Sequence, residues 1–481
     1  MFQSLRNPNF KLFWFGQMVS LPGSWMQTIG LSWLVLKISN RPDILGLVTL
    51  LQFLPILLFA LVGGVVADRV PKRKFLLFTQ SVATVQAFAL GLLVSFGVIN
   101  LWEIYVLSLI GGLNAAFDNP TRQAFVVEMV GREDVANAVA LNSGLFNAAR
   151  IVGPAIGGWI IANPHIGIAG TFYLNGVSYA AAIGALLAMN PRHFHATGAP
   201  PRGRMAAQVL EGWRYCFSLP ATAIIIILMA VIGTFGYNFT VSLPLLAKYA
   251  LGLGPKGFGY LTAAMGLGSL FGAAYLARIA VPTRRLLLTG LGAFTIILGL
   301  ISLSGNFYLT FGLLVALGFA GLLGTATGNT LLQIDTPDEL RGRVMSIYFL
   351  LLAGSTPIGG YLTGILARYY QIRPTLSMES AVCLIGIVWS VYYYRSRKLY
   401  IKDRQASRTR VGGRRLGSGA TTTAPPDSTR RAADDPSLAP LPEKVAALGK
   451  PLDPEEQTQA GELNELKNRD ERKEMPESIG E

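Results

Sequence analysis

The chain has 481 residues, of which 51% are hydrophobic and only 14% charged, with a formal net charge of +14. A soluble domain carries about a quarter charged residues, so this polar surface cannot cover a water-soluble globule of this length. The basic excess clusters in alternate connections between apolar segments, which fits membrane topology and leaves no need for nucleic-acid binding.

Roughly twelve apolar windows of about 20 residues, the length that crosses about 30 Å of hydrocarbon, begin near Phe10, Ile44, Phe75, Leu101, Ala138, Gly170, Ala221, Phe258, Leu286, Phe307, Val344 and Ser377. The first is entered through "MFQSLRNPNFKLFWFG", which has only Arg6 and Lys11 and no small-residue cleavage site, so a secretory signal peptide is not expected. In "SLPGSW", Pro22 and Gly23 are expected to bend the first helix. At the end of the second window, "GGVVADRVPKRK" offers glycines for close helix approach, Asp68 at the membrane edge and a tight cationic turn. "FDNPTRQAFVVEMV" places Asp118 near the end of the fourth window, with Arg122 one turn further on.

The fifth window holds "NAARIVGPAIGG". Arg150 cannot shed its charge, and at the centre of a lipid-facing helix it would cost about 2.5–3.5 kcal/mol. It lies about 18 Å into a core of about 30 Å, so it must face protein, water or ligand. Gly153, Pro154, Gly157 and Gly158 follow it, a proline that breaks a backbone hydrogen bond and glycines that admit a neighbouring helix.

"NPRHFHATGAPPRGR" is the longest polar interruption before the tail, and "MAAQVLEGWRYCFSLP" after it reads as an amphipathic helix along the membrane surface. The halves on either side resemble each other. "VGREDVANAVALN" is echoed by "DTPDELRGRVMSI", and "GPAIGG" by "TPIGG", each offset by about 200 residues, as in transporters built of parallel repeats. The expected fold is therefore an all-α membrane protein of roughly twelve transmembrane helices in two six-helix halves. Its parts are an N-terminal half over residues 1–189, a cytoplasmic linker over 190–220, a C-terminal half over 221–397 and a disordered cytoplasmic tail over 398–481.

Arg69, Lys72, Arg73 and Lys74, then Arg122 and Arg132, and the basic residues of the linker and of the connections near Arg284 and Arg341 all fall on one side. Under the positive-inside rule both termini are cytoplasmic. The basic part of the tail can lie on anionic lipid headgroups. Cys216 and Cys383 are far apart in sequence and say little about compartment.

These motifs carry a resemblance to the major facilitator superfamily over Phe10 to about Arg397. Gly64, Asp68, Arg69, Lys72 and Arg73 match its loop signature between the second and third helices, with Pro71 in place of the turn glycine. Gly153, Pro154, Gly157 and Gly158 match its antiporter signature on the fifth helix, with Ala140 and Ala149 where glycines are usual. The drug and siderophore exporter branch, which includes macrolide efflux pumps and the enterobactin exporter, is the most similar. The resemblance implies a multi-pass inner-membrane antiporter that exports a small amphiphilic molecule by alternating access, with protons as the coupling ion. It also implies a packing element at Gly153–Gly158 between the halves, and a cluster of Asp118 with Asp68, Arg69 and Arg73 that latches the cytoplasmic side. Cavity-lining candidates are Trp25, Gln27, Asn114, Arg150, Tyr237, Asn238 and Asn329, with Phe235, Thr325 and Thr327 beside them. Ser108 stands where the superfamily often has a fourth-helix arginine. Arg150 supplies a cavity cation in its place, or is held by carbonyls, Asn142 and Asn147 in a structural contact. Asp118 has the parallel alternative of a simple pair with Arg122.

No phosphate-binding loop of the form G-x-x-x-x-G-K-[ST] occurs. Neither a metal cluster nor a convergent catalytic set is visible, so no enzyme, cofactor or metal is expected. Asp68, Asp118, Glu103 and Glu379 read as lying toward span ends, which leaves the titrating residue unassigned. The chain is expected to be monomeric. A lysophospholipid flippase and a non-transporting sensor or scaffold remain alternatives.

Overall fold

The computed structural model describes residues 3–195, 205–279 and 282–415. The chain divides into two units, residues 1–404 and 405–481. Of the second, residues 405–415 are helical; the rest of the expected tail, and residues 196–204 of the linker, lie outside the described residues.

The first unit is a bundle of long helices. α1 (Pro8–Ser39) starts where Asn7 caps the amides of Asn9 and Phe10 and Pro8 takes the first turn. α2 (Pro42–Arg69), α3 (Lys72–Ser95), α4 (Leu101–Ala162) and α5 (Gly167–Ala188) complete the N-terminal half. Within α4, Gly131 adopts φ 72°, ψ 173°, a left-handed conformation that favours glycine, and this kink divides the helix into the fourth and fifth spans. The linker contributes α6 (Met205–Ser218). It packs on the C-terminal half through Gly212, set against Arg343 and Ile347, and through buried Cys216.

The C-terminal half comprises α7 (Pro220–Phe235), α8 (Phe239–Leu245), α9 (Pro255–Leu276), α10 (Arg284–Leu303), α11 (Phe307–Asp335), α12 (Asp338–Leu352), α13 (Thr356–Tyr370) and α14 (Ile372–Arg415). The seventh span is broken at residues 236–238 between α7 and α8. α12 and α13 form the eleventh span, and Pro337 ends α11 where the first half has its Gly131 kink. Among the described residues the helices group into twelve bundle-length segments, matching the roughly twelve apolar windows. Nine segments among the described residues are long and apolar enough to cross a membrane on hydropathy alone. α1, residues 101–130 of α4, and α9 are less apolar and pack on the other spans. α14 continues as helix to Arg415, beyond the expected start of the tail at 398.

One end of the bundle, here the terminal end, carries Asn7, the α2–α3 turn and the Gly131 kink; the distal end carries the α1–α2, α7–α9 and α13–α14 connections. The halves meet toward the distal end through glycines. A Cβ at Gly158 would stand 2.6 Å from the Pro255 carbonyl oxygen and 3.1 Å from Gly259 Cα. One at Gly364 would stand 2.7 Å from the Pro42 carbonyl and 3.0 Å from Gly46 Cα. Lys248 donates to the Leu36 carbonyl (2.6 Å) and to Asn40 Oδ1 (2.8 Å), and Arg368 donates to Asp43 (2.8 Å). Lys256 lies 4.4 Å from the Trp159 ring centroid. Among the described residues at the terminal end, Lys72 pairs with Glu128 at 3.1 Å and Arg284 with Asp335 at 3.0 Å within their halves, and Arg343 pairs with Glu211 of the linker helix α6. The halves thus converge at the distal end.

This geometry makes Gly158 a fulcrum. Gly158→Leu would force carbonyl and side chain to overlap, at a cost of about 1–3 kcal/mol, and is expected to displace the equilibrium roughly tenfold away from distal closure. Pulsed electron-spin distances between labels on the two halves at the distal end would lengthen; an unchanged distribution would refute the assignment.

Candidate substrate and gating site

Arg150 sits near the middle of the fifth span, on the boundary between halves. Its carbonyl and Ile151 lie against Gly266 of α9, where a Cβ would stand 3.5 Å from Arg150 O and 2.8 Å from Ile151 Cγ1. On the other side Gly153 accepts the body of α1, since a Cβ there would stand 2.5 Å from Trp25 Cβ and 2.7 Å from the Pro22 carbonyl. Gly157 fits Met26 in the same way. The glycines at 153 and 157 therefore seat α1 within the half, and Gly158 makes the contact across halves. Pro154 offers its carbonyl to the position where a Cβ on Gly259 would stand, 2.5 Å away.

The Arg150 guanidinium is 5.9 Å from the Trp25 ring centroid, within cation–π range. Trp25 makes an edge contact with Phe146 at 5.7 Å. Tyr237, in the break of the seventh span, interacts electrostatically with Arg150 from the other half, is stacked on Phe294 at 5.2 Å and hydrogen-bonds Thr325. Among the described residues no carboxylate or hydrogen-bond acceptor pairs with Arg150. Asn147 donates instead to the Ser143 carbonyl at 2.8 Å, so the expected asparagine clamp is not made.

The other cavity candidates point elsewhere. Gln27 accepts from Asn175 of α5 at 2.8 Å, and Asn114 donates to the Thr79 carbonyl of α3 at 3.1 Å. Asn329 accepts from Gln333 on its own helix. Asn238 is buried against α14. Short amides inside an apolar bundle find partners on nearby helices, and each of these four makes such a contact. Thr325 donates to the Gly321 carbonyl and Thr327 is buried. Phe235 packs against the core.

The expected charge cluster is likewise divided. Asp118, 5% exposed, accepts from Thr79 Oγ1 at 2.6 Å, Gln80 Nε2 at 2.9 Å and Arg122 Nε at 3.1 Å. Arg122 also donates to Gln17 of α1. Because the helix runs unbroken to the Gly131 kink, Asp118 lies well inside the bundle and not at a span end. Asp68 and Arg69 are exposed, and Arg73 donates to the Leu186 and Leu187 carbonyls at 2.6 and 2.8 Å. Asp118 is thus paired one turn along its own helix, and the structure does not bring Asp68, Arg69 or Arg73 to it. Gly63, not Gly64, makes the close approach, with a Cβ position 2.3 Å from the Ala116 carbonyl. A separate cleft of about 480 Å3 opens at the distal end beside Asn40, Tyr249, Gln371 and Arg373. Sequence reasoning also missed one buried acid: Glu379 lies about 10 Å inside α14, seven residues beyond Ile372, and is 4% exposed. Its signal was a lone charged residue in the apolar run "TLSMESAVCLIGIV".

The sequence profile of transmembrane secretion effectors matches residues 1–412. The chain belongs to this family of the major facilitator superfamily. This superfamily member is 27% identical over 403 residues to the staphyloferrin A transporter of Staphylococcus aureus, covering 82% of this chain and 98% of that one. It is 26% identical over 407 residues to the multidrug efflux pump Tap of Mycolicibacterium fortuitum, covering 81% and 97%. With the enterobactin exporter EntS of Shigella boydii it shares 28% identity over 337 residues, covering 68% and 78%. Its fold is similar to a solved transporter of the POT family in complex with 5-aminolevulinic acid, with a TM-score of 0.64, 12% identity and coverage of 81% and 96%. It is also similar to a bacterial homologue of the lysosomal transporter Spinster in an inward-facing, occupied conformation, with a TM-score of 0.62, 13% identity and coverage of 81% and 97%. The protein is a multi-pass membrane transporter of a small molecule, not an enzyme.

The polar pairings separate two acids by consequence. Asp118→Ala strips Arg122, Thr79 and Gln80 of their acceptor and should cost about 1–3 kcal/mol. Asp68→Asn, at an exposed turn, should change stability by less than about 0.5 kcal/mol. Thermal unfolding of the detergent-solubilised variants checks the order, and equal melting temperatures would refute it.

Proposed function

We propose that the protein exports an amphiphilic molecule bearing an anionic group, of the siderophore class, by alternating access and proton antiport. The observation that supports the substrate class is the Arg150 guanidinium beside Trp25, a fixed cation with an aromatic face and no internal counter-ion, which suits a carboxylate or ionised phenol attached to an apolar body. Tyr237 of the opposite half lies within electrostatic range of Arg150. Export is carried over from the relatives, two of which handle siderophores by name and one of which is a drug pump. Convergence at the distal end corresponds to the state that loads substrate from the cytoplasm, given cytoplasmic termini under the positive-inside rule. Protons are the coupling ion in this reading. The protein acts as a monomer in the inner membrane, with the basic tail near anionic lipids.

The test is transport by proteoliposomes with and without an imposed pH gradient, using iron-free enterobactin, iron-free staphyloferrin A and ethidium as a cationic contrast. A charge-assisted hydrogen bond contributes about 1.5–3 kcal/mol, so Arg150→Ala should reduce transport of an anionic probe at least about tenfold and leave ethidium unaffected. Arg150→Lys keeps the charge and loses the planar donor fork, and should fall between. Equal loss for anionic and cationic probes, or wild-type transport of the siderophores by Arg150→Ala, would defeat the substrate assignment.

A further inference from the structure

Glu379 lies where the seventh, eleventh and twelfth spans meet, and the site around Arg150 does not use it. Thr363 of α13 hydrogen-bonds its Oε1, and the Asn238 amide is its second partner. Asn238, 2% exposed, donates Nδ2 to the Thr234 carbonyl at 2.8 Å. That bond fixes the amide, because reversing it would set Oδ1 against a carbonyl oxygen. Asn238 Oδ1 is then a buried acceptor with no donor. Thr363 has a single hydroxyl hydrogen and two acceptors in reach, the Gly359 carbonyl at 2.9 Å and Glu379. Water is held out by close packing, since a Cβ on Gly359 would stand 1.9 Å from the Thr234 carbonyl and 2.7 Å from Asn238 Oδ1.

With Glu379 as a carboxylate this cluster has more acceptors than hydrogens. One hydrogen on Glu379 reduces the deficit, because it turns an acceptor into a donor. Among the described residues no lysine, arginine or histidine interacts with Glu379. Cys383, one turn along α14, is the titratable group that faces it. On the packed elements, Arg368 of α13 is bound to Asp43, Arg373 of α14 donates to the Ala250 carbonyl, and α10 presents the Thr295 carbonyl to Ser380. A buried anion without a counter-charge is costly, and such a group takes up a proton instead.

We propose that Glu379 is the proton carrier of transport, and that the break in the seventh span reads its protonation. Asn238 ends the segment 236–238, where the Gly236 and Tyr237 amides share the Ile232 carbonyl at 2.7 and 3.0 Å. The Asn238 carbonyl starts the next helix by accepting from Val241 and Ser242. Its neighbour Tyr237 lies within electrostatic range of Arg150 of the other half. The same non-helical segment therefore borders the acid and lies within electrostatic range of Arg150. With the proton in place, Asn238 is pinned between Thr234 and Glu379. When distal separation admits water, the O–H bond breaks, the proton passes to that water, and the carboxylate left without a counter-charge disfavours reclosure of the packing around Asn238. As a transport step this rests on the antiport reading above; as a proton site it does not.

The test needs no substrate. Spin labels at Ile166→Cys and Tyr308→Cys, exposed positions in different halves near the distal end, report distal separation by pulsed electron-spin distances between about pH 5 and about pH 9. The wild-type background should shift its distribution in a one-proton transition, and Glu379→Gln should hold the acid distribution throughout. A Glu379→Gln variant that titrates like wild type, or a wild type that does not titrate, overturns the proposal. If that variant fails to fold, the wild type still decides. Dicyclohexylcarbodiimide, which adds to protonated carboxyl groups in apolar surroundings, should modify Glu379 at about pH 6 and not at about pH 9, read by peptide mass spectrometry; modification that is absent, or equal at both, overturns it. In the proteoliposome assay, gradient stimulation should fall at least about tenfold in Glu379→Gln. Gradient-driven export that survives in this variant removes the carrier and spares antiport. Gradient-independent export by wild type, with Glu379 still titrating, removes antiport and spares the proton site.

Discussion

Two glycine crossings hold the halves together, Gly158 on Gly259 and Gly364 on Gly46. In a bilayer the lipid tails are as apolar as leucine, so helix association draws on van der Waals contact and interhelical hydrogen bonds. Backbones that touch without intervening side chains maximise the first. Lys248, Arg368 and Lys256 add polar contacts around the same crossings, and each joins one half to the other. These contacts concentrate toward the distal end, so in the proposed transport cycle they are the ones that must separate. The terminal-end ion pairs lie within halves and move with them.

This constraint also explains where charge can stand. Arg150 projects from the glycine-rich stretch that forms the crossing, on the face toward Trp25 and Tyr237. Asp118 and Arg122 neutralise each other inside the N-terminal half with Thr79, Gln80 and Gln17 completing their hydrogen bonds. Glu379 is surrounded by neutral groups in the C-terminal half. Three solutions to a buried charge thus occur in one bundle: a fixed cation at the boundary, a closed pair, and an acid among hydrogen-bond partners. Their differences follow from chemistry, since arginine cannot deprotonate and a carboxyl group can.

The architecture was legible because hydropathy, basic asymmetry and the paired turns all depend on periodic or repeated features. The Gly131 and Pro337 breaks fall at the repeat positions, and Gly158 was readable as a close-packing site from small-residue spacing. Side-chain direction was less legible. Gln27, Asn114 and Asn238 have the polarity of cavity residues, but a polar side chain in a helix has several neighbours in reach, and spacing does not say which it meets. The same ambiguity drew Asp118 toward Asp68. Glu379 was misplaced because a span's start was judged from its apolar residues, whereas helix α14 begins at Ile372 and includes the polar turn before them.

The proposed function requires Arg150 to be reached by water from the terminal end. Phe146 touches Trp25 and is 47% exposed. Labelling Phe146→Cys with a membrane-impermeant maleimide, in vesicles of each orientation, tests the claim most directly. The account predicts modification from the side that carries the chain termini and protection by iron-free enterobactin or staphyloferrin A. Modification only from the opposite side, or none from either, would contradict it.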